Sequence, residues 1–158
     1  MKAFSRGWRG FTLIEVILVI AIIGVLASVL IFAVGRTKEK TDKDNTRLLI
    51  NQVTGALERY KLDLTRYPTE EDGGLQALRK QPQFTDEKLA EKWAGPYLAR
   101  EPRDPWGNLL NYKLTESGSE EAKTLPYKVW SFGPNGQDDN GADDDIRNQA
   151  WEDSEQQK

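Results

Sequence analysis

The longest apolar run in the chain lies near its N-terminus and predicts a membrane-spanning helix. Between residues 11 and 34 the only charged side chain is Glu15, and the only other polar side chains are those of Thr12 and Ser28. At a rise of about 1.5 Å per residue this run would form a helix about 36 Å long, whereas a hydrocarbon core takes roughly 20 residues to cross. The run is therefore long enough to span a bilayer.

A second pattern follows from residue 45 to residue 64, where apolar side chains recur at steps of three and four. The positions are Leu49, Val53, Leu57, Tyr60 and Leu64, with Ala56 beside them. This spacing places one apolar stripe along a helix, so we expect the N-terminal helix to continue over residues 35–66 and to pack its stripe against a core. We expect it to end at Tyr67-Pro68, because a residue before proline is disfavoured in helical conformation.

Residues 67–146 carry shorter patterns and predict a small globular head. A helix is expected within residues 69–80 after an N-cap at Thr69, and one or two turns at residues 86–93. Residues 109–114 and 127–132 have the composition of strands, joined by a polar turn around residues 117–119. The fold class is therefore α+β, a long helix packed on a small antiparallel sheet. The polar tail 147–158 is expected to be mobile, with Trp151 alone to dock it.

The apolar run has three interpretations, which its length and the hexapeptide at its start distinguish. A secretory signal has an apolar core of roughly 7–15 residues, which is shorter than this run. A plain N-terminal anchor fits the length, but it has no use for Glu15, since a charge at bilayer depth costs on the order of 2.5–3.5 kcal/mol. In the third interpretation the hexapeptide, Gly10-Phe11-Thr12-Leu13-Ile14-Glu15, resembles the start of the type IV pilin family.

This resemblance implies processing and polymerisation. In the family a prepilin peptidase cuts after the glycine and the new N-terminal phenylalanine is methylated, which here means cleavage between Gly10 and Phe11 and N-methylation of Phe11. Glu15 would pair with the new ammonium group of a neighbouring subunit, so that a homopolymer forms through the N-terminal helices. The leader, residues 1–10, has three basic and no acidic side chains. It therefore places this end in the cytoplasm and the head outside.

Five further motifs narrow the resemblance to the major pseudopilins of bacterial type II secretion systems. They are Arg66-Tyr67-Pro68-Thr69, Gly74-Leu75-Gln76-Ala77-Leu78, Gly95-Pro96-Tyr97-Leu98, Asp104-Pro105-Trp106-Gly107-Asn108 and Trp130-Ser131-Phe132-Gly133. The implied fold is a pilin-like lollipop, and the implied function is that of a structural subunit of a periplasmic pseudopilus that drives folded proteins across the outer membrane. The implied partners are minor pseudopilins, an inner-membrane assembly platform, the prepilin peptidase and, before assembly, membrane lipid. The subunit would be a single-pass inner-membrane protein with a periplasmic head.

Composition bears on the alternatives. The chain has 22 basic and 25 acidic side chains, and loss of the leader would leave 19 and 25, a net charge of −6, which argues against a nucleic-acid partner. It contains no histidine and no cysteine, so enzyme chemistry would rest on carboxylates alone, and we expect no enzyme. The nearest alternative is a type IV pilin or DNA-uptake pseudopilin subunit. Such pilins commonly close the C-terminal region with a disulfide, which this chain cannot form.

Residues 133–146 are rich in glycine, asparagine and aspartate, with five carboxylates between residues 138 and 145. Composition alone leaves open whether this is a solvated loop or a calcium site, since calcium takes six to eight oxygen ligands. The spacing excludes an EF-hand. The resemblance to major pseudopilins implies calcium, held by the carbonyl of Phe132 and the side chains of Asn135, Asp143 and Asp145, with Asp138 and Asp144 as substitutes.

The chain departs from the pattern of its relatives at three points. Asn135 stands where they usually carry an aspartate, and the loop is about one residue shorter than the common pattern. Phe32 stands where they usually carry a proline that kinks or loosens the helix, so we expect a straighter helix here unless it bends at Gly24 or Gly35 instead.

Overall fold

The computed structural model describes residues 11–116 and 118–156, and of residues 29–37 and 156 it describes the backbone only. The predicted leader with Gly10, the side chain of Phe32 and the centre of the predicted turn at residue 117 therefore lie outside the described residues. The chain divides into two compact units, Met1–Lys40 and Thr41–Lys158.

The N-terminal helix, α1, comprises Leu13–Leu64. Thr12 and Glu15 form a capping box at its start, because Glu15 Oε2 accepts hydrogen bonds from the backbone nitrogen and the hydroxyl of Thr12, each 2.8 Å long. The helix ends two residues before the predicted position. Thr65 adopts a left-handed conformation, with φ 61°, and its backbone nitrogen donates to the carbonyl of Lys61 at 2.7 Å, which closes the last turn.

In the first unit, the side chains of residues 11–28 are exposed, including every large apolar one. Within the part of the chain that the structure describes, no helix combines the length and apolarity of a membrane span.

In the second unit, α1 contributes the centre of the core. The predicted stripe is confirmed at Val53, Leu57, Tyr60 and Leu64, each at most 1% exposed, and at Ala56. Leu49 is only partly buried, and the adjacent Ile50 is buried instead. Further core residues from the head pack with this face of α1, namely Leu78, Leu110, Tyr127, Val129 and Ile146.

The head contains the predicted antiparallel sheet, with one strand more than expected. Its strands are β1, Asn111–Leu114, β2, Tyr127–Ser131, and β3, Ile146–Arg147, in the order β1-β2-β3. Tyr112 pairs with Val129, and Trp130 pairs with Arg147. Along β2 buried residues alternate with half-buried ones, as expected for a strand with one face on the core.

The remaining elements are short. A 3₁₀ helix, Gly74–Leu78, forms within the helix predicted at residues 69–80, and α2, Glu87–Lys92, forms where one or two turns were predicted. The connection between β1 and β2 contains α3, Glu121–Thr124, in addition to the turn around Gly118. The predicted tail contributes Arg147 to β3 and then forms α4, Gln149–Gln156. Trp151 does not dock it alone, because Asn148 is buried and bonds to Val129.

Candidate functional sites

Among residues 11–28, Glu15 is the only charged side chain, and most of the exposed side chains around it at the start of α1 are apolar. Its Oε2 atom takes both hydrogen bonds from Thr12, and its backbone nitrogen lies 3.4 Å from the Thr12 hydroxyl. Phe11, the predicted new N-terminus, is 84% exposed. A carboxylate at a helix N-terminus is favoured by the helix dipole. Residues 11–28 thus expose one anionic side chain, that of Glu15, on an otherwise largely apolar surface.

The second site is the acidic loop, residues 133–145. Asp104 stabilises the start of this loop through Ser131, the last residue of β2. Asp104 is 5% exposed, and its Oδ1 accepts from the backbone nitrogens of Trp106 at 3.0 Å and Asn108 at 2.8 Å. Its Oδ2 accepts from the Ser131 hydroxyl at 2.7 Å, and that hydroxyl accepts from Gly133 N at 3.1 Å. Sequence reasoning missed this role, although aspartate before a proline and a glycine is typical of a turn that its side chain closes.

Asn135 and Asp144 join the two ends of the acidic loop. The backbone nitrogen of Asn135 donates to Asp144 Oδ2 at 3.0 Å, and its side-chain amide donates to Asp144 Oδ1 and, at 2.9 Å, to Asp139 Oδ2. Gly133 makes this approach possible. It has φ 64°, and a Cβ atom there would lie 2.3 Å from the carbonyl oxygen of Asp144.

Asp145 differs from the other carboxylates of the loop in having one buried oxygen atom without a hydrogen-bond partner among the described residues. Its Oδ2 accepts from the backbone nitrogens of Gly141 at 2.8 Å and Asp139 at 3.1 Å. Its Oδ1 is buried and has no hydrogen-bond partner among the described residues. Burial raises the pKa of Asp145, and repulsion by Asp139 and Asp138 adds to the rise, against the two backbone bonds that lower it. A buried anionic oxygen without a partner is a destabilising feature that a cation would relieve.

The other predicted ligands are placed differently. Asp138 Oδ1 accepts from the indole nitrogen of Trp130 at 3.2 Å and from Asn140 N at 3.1 Å. Asp143 is exposed and adopts a left-handed conformation, with φ 47°. Phe132 follows directly after β2, at the start of the loop. Among the described residues no three histidine, cysteine, aspartate or glutamate side chains form a group that could hold a metal ion.

The donor chemistry of the loop nevertheless suits a hard cation. Carboxylate, amide and carbonyl oxygens are the ligands that calcium takes, in flexible geometry. The structure brings Asn135, Asp144, Asp139 and Asp145 into one hydrogen-bonded network and leaves one oxygen of Asp145 unpartnered. The residues present therefore fit calcium in type, while their side chains have to turn toward a common point to hold it.

Comparison with known proteins shows the family to which the chain belongs. The family model described as Type II secretion system (T2SS), protein G matches residues 33–149, and the model described as Prokaryotic N-terminal methylation motif matches residues 9–31. The chain is 42% identical over 144 residues to the type II secretion system core protein G of Dickeya chrysanthemi, with 91% of this chain and 88% of that one covered. It is 41% identical over 140 residues to the same core protein of Escherichia coli, with 89% and 90% covered.

A solved structure shows the same fold. The crystal structure of the major pseudopilin from the type 2 secretion system of enterohaemorrhagic Escherichia coli aligns with a TM-score of 0.52 and 28% sequence identity, over 71% of this chain and 90% of that one.

The α+β fold and the N-terminal methylation motif define the class, a pilin-like structural subunit and not an enzyme. The chain belongs to the family of type II secretion system core protein G, the major pseudopilins. It is a pseudopilus subunit and acts in protein secretion together with other components of that system. The resemblance seen in the sequence is confirmed, and the match over residues 33–149 favours this family over the type IV pilin alternative.

Proposed function

We propose that the subunit is held in the inner membrane before assembly by the apolar run at residues 11–34, with its N-terminus in the cytoplasm and its head in the periplasm. The support is the exposure of every described apolar side chain from residue 11 to residue 28, together with the basic leader that precedes them. Apolar side chains on all faces of one helix are typical of a segment whose surroundings are themselves apolar. The positive charge of the leader sets the orientation.

The proposed processing step is cleavage between Gly10 and Phe11 by a prepilin peptidase, followed by N-methylation of Phe11. The matched methylation motif, residues 9–31, supports it. Cleavage creates an ammonium group four residues before Glu15. Within one helix Glu15 bonds to Thr12, and in the filament it would pair with the ammonium of an adjacent subunit, which compensates both charges in an apolar environment and sets the axial offset between subunits.

The observation that carries this proposal is the isolation of Glu15 among apolar side chains, and Glu15→Gln tests it. Ser28→Ala is the matched control, because Ser28 is also a polar residue in the apolar run and, among the described residues, its hydroxyl donates to the carbonyl of Val25 at 2.7 Å within the same helix. Both variants should insert and be processed to the mature mass, whereas Glu15→Gln should lower filament yield by about tenfold or more, since breaking a paired buried charge costs several kcal/mol. Equal filament yields would contradict the pairing.

Gly10→Ala should leave the leader attached, as mass spectrometry of the membrane fraction would show.

We further propose that the acidic loop binds one calcium ion. The support is the unpartnered Oδ1 of Asp145, the raised pKa of that carboxyl group and the density of oxygen donors from Phe132 to Asp145. The proposed ligands are the carbonyl of Phe132 and side chains of the loop, with Asn135 supplying an amide oxygen in place of a carboxylate. The bound ion would close a loop in a head that has no cysteine, and its binding energy would become folding energy.

Calorimetric titration of the full chain in detergent micelles tests this calcium site. We expect one calcium ion per chain and much weaker binding of magnesium, which demands smaller, near-octahedral coordination. Asp145→Asn should abolish calcium binding. Glu116→Gln, a carboxylate outside the loop, is the control and should bind as the parent does. Binding to neither the parent nor the control would refute the site.

A further inference from the structure

We propose that α4 holds the acidic loop in the conformation described above and that Trp151 is the residue of α4 that positions the loop. The contact lies at Gly141, where a Cβ atom would come within 2.7 Å of Trp151 Cη2 and of Arg147 Cδ. The backbone of Gly141 therefore lies directly against the indole ring. The backbone nitrogen of the same residue donates to Asp145 Oδ2 at 2.8 Å, so the ring supports the turn that orients Asp145.

The indole ring of Trp151 is itself held from several sides and is only 7% exposed. The ring of Trp130 meets it edge to face, with centroids 5.8 Å apart and planes at 85°. The cations of Lys128 and Arg147 lie 5.0 Å and 5.5 Å from its centroid. Its nitrogen donates to Glu155 at 3.3 Å, and Arg147 forms an ion pair with the same glutamate. These contacts fix the ring in one position.

The first residues of the tail connect this ring to the sheet. The side chain of Asn148 accepts from Val129 N at 3.1 Å, and its backbone nitrogen donates to the carbonyl of Val129 at 2.9 Å. On the other side of the ring pair, Trp130 donates to Asp138 in the loop at 3.2 Å. The two tryptophans thus connect β2 and α4 to the acidic loop. The indole of Trp151 packs against Gly141, and the indole of Trp130 donates a hydrogen bond to Asp138.

The consequence is that the loop is pre-ordered before any cation arrives. Ordering a loop on binding lowers affinity, and a support present in the free protein raises it. By thermodynamic reciprocity, a cation in the loop would in turn stabilise the docked position of α4. The second part of this inference rests on the proposed calcium site, whereas the support of Gly141 by Trp151 does not.

Hydrogen exchange of the full chain in detergent micelles with excess chelator tests the support directly. Trp151→Ala should raise exchange in peptides covering residues 139–145 by about tenfold or more, relative to peptides from the core half of α1 around Leu57. Trp151→Phe keeps an aromatic ring against Gly141 and should restore most of the protection. Trp93→Ala is the matched control, because Trp93 packs on Tyr97 and donates to the carbonyl of Ala77, away from the loop. It should leave the loop-to-core ratio unchanged.

Calcium titration of the same variants tests the consequence for binding. Trp151→Ala should weaken calcium binding by about tenfold, and Trp151→Phe by much less. A parallel rise of exchange in loop and core peptides would mean that Trp151 acts on global stability only, and it would overturn the inference. Unchanged exchange in the loop would overturn it as well. If the parent bound no calcium while Trp151→Ala still opened the loop, the calcium site would be refuted and the support of the loop by α4 would stand.

Discussion

Replacing Gly133 with alanine gives the most quantitative test of how the acidic loop is closed. Gly133 and Gly136 have nearly the same left-handed conformation, with φ 64° and 67°. They differ in their surroundings. A methyl group at Gly133 would lie 2.3 Å from the carbonyl oxygen of Asp144 and 2.8 Å from its Oδ2, whereas at Gly136 the nearest atom, on Asn108, is 3.9 Å away. Gly136→Ala is therefore a matched control for backbone strain.

The expected magnitudes follow from these distances. A left-handed alanine costs roughly 1–2 kcal/mol, and the less flexible unfolded chain offsets about 0.4–1 kcal/mol of that in both variants. Since an unstrained carbon–oxygen contact is roughly 3.3 Å or longer, Gly133→Ala also forces the Asp144 segment to move by about 1 Å. Overpacking of this kind costs roughly 1–3 kcal/mol. We therefore expect Gly133→Ala to be about 2 kcal/mol less stable than Gly136→Ala.

The assay is thermal unfolding of the full chain in detergent micelles, followed by tryptophan fluorescence. An extra loss of about 2 kcal/mol corresponds to a midpoint roughly 6–12 °C lower in a domain of this size. The shift of the Asp144 segment would also displace the oxygen donors of the loop, so Gly133→Ala should weaken any stabilisation by calcium. Equal midpoints for the two variants would refute the close approach of Gly133 and Asp144.

Two further variants test the networks that hold the head. The side chain of Asp72 is 8% exposed and accepts hydrogen bonds from Arg66 and from Thr69. Burial raises the pKa of Asp72, but the hydrogen bonds and the charge of Arg66 together outweigh burial and hold this pKa below its ordinary value. Asp72→Asn should therefore lower the free energy of unfolding by about 1–3 kcal/mol at neutral pH. Because the folded pKa is depressed, this difference should persist above about pH 4 and vanish as the pH falls through the folded pKa, which denaturant titrations between pH 2 and 7 would show. Asp104→Ala should lower the free energy of unfolding by about 2–4 kcal/mol, because the Ser131 hydroxyl and two backbone nitrogens lose their acceptor. Asp104→Asn keeps one carbonyl oxygen as an acceptor and should lower the free energy of unfolding clearly less in the same denaturant titration.

The helix stripe and two of the strands were predictable because each follows from local sequence. Val53, Leu57, Tyr60 and Leu64 recur at helical spacing and are all buried. Residues 109–114 and 127–132, predicted as strands from their composition, contain β1 and β2. These signals need no knowledge of distant contacts.

The features that the sequence did not predict depend on unusual residues or on contacts between distant positions. The left-handed end of a helix is normally marked by glycine, and here it is occupied by Thr65. The helix α4 is polar except at Ala150 and Trp151, and it is placed by the contact of Trp151 with Trp130 and Gly141. Asp104 is joined to Ser131, 27 residues further along the chain. The acidic loop was found by composition, but composition did not show that Asp145 alone would retain a buried, unpartnered oxygen among the predicted ligands.

We propose that the acidic loop binds calcium and thereby stabilises a head that has no cysteine. The most direct measurement is the unfolding midpoint of the full chain in calcium, in magnesium and in excess chelator. At a calcium concentration 100 times the dissociation constant, binding adds about 2.7 kcal/mol, which raises the midpoint by roughly 8–16 °C in a domain of this size. The account predicts this rise with calcium, a much smaller change with magnesium and none in Asp145→Asn. Identical midpoints in calcium and chelator for the parent would contradict it and would leave residues 133–145 as a solvated acidic loop.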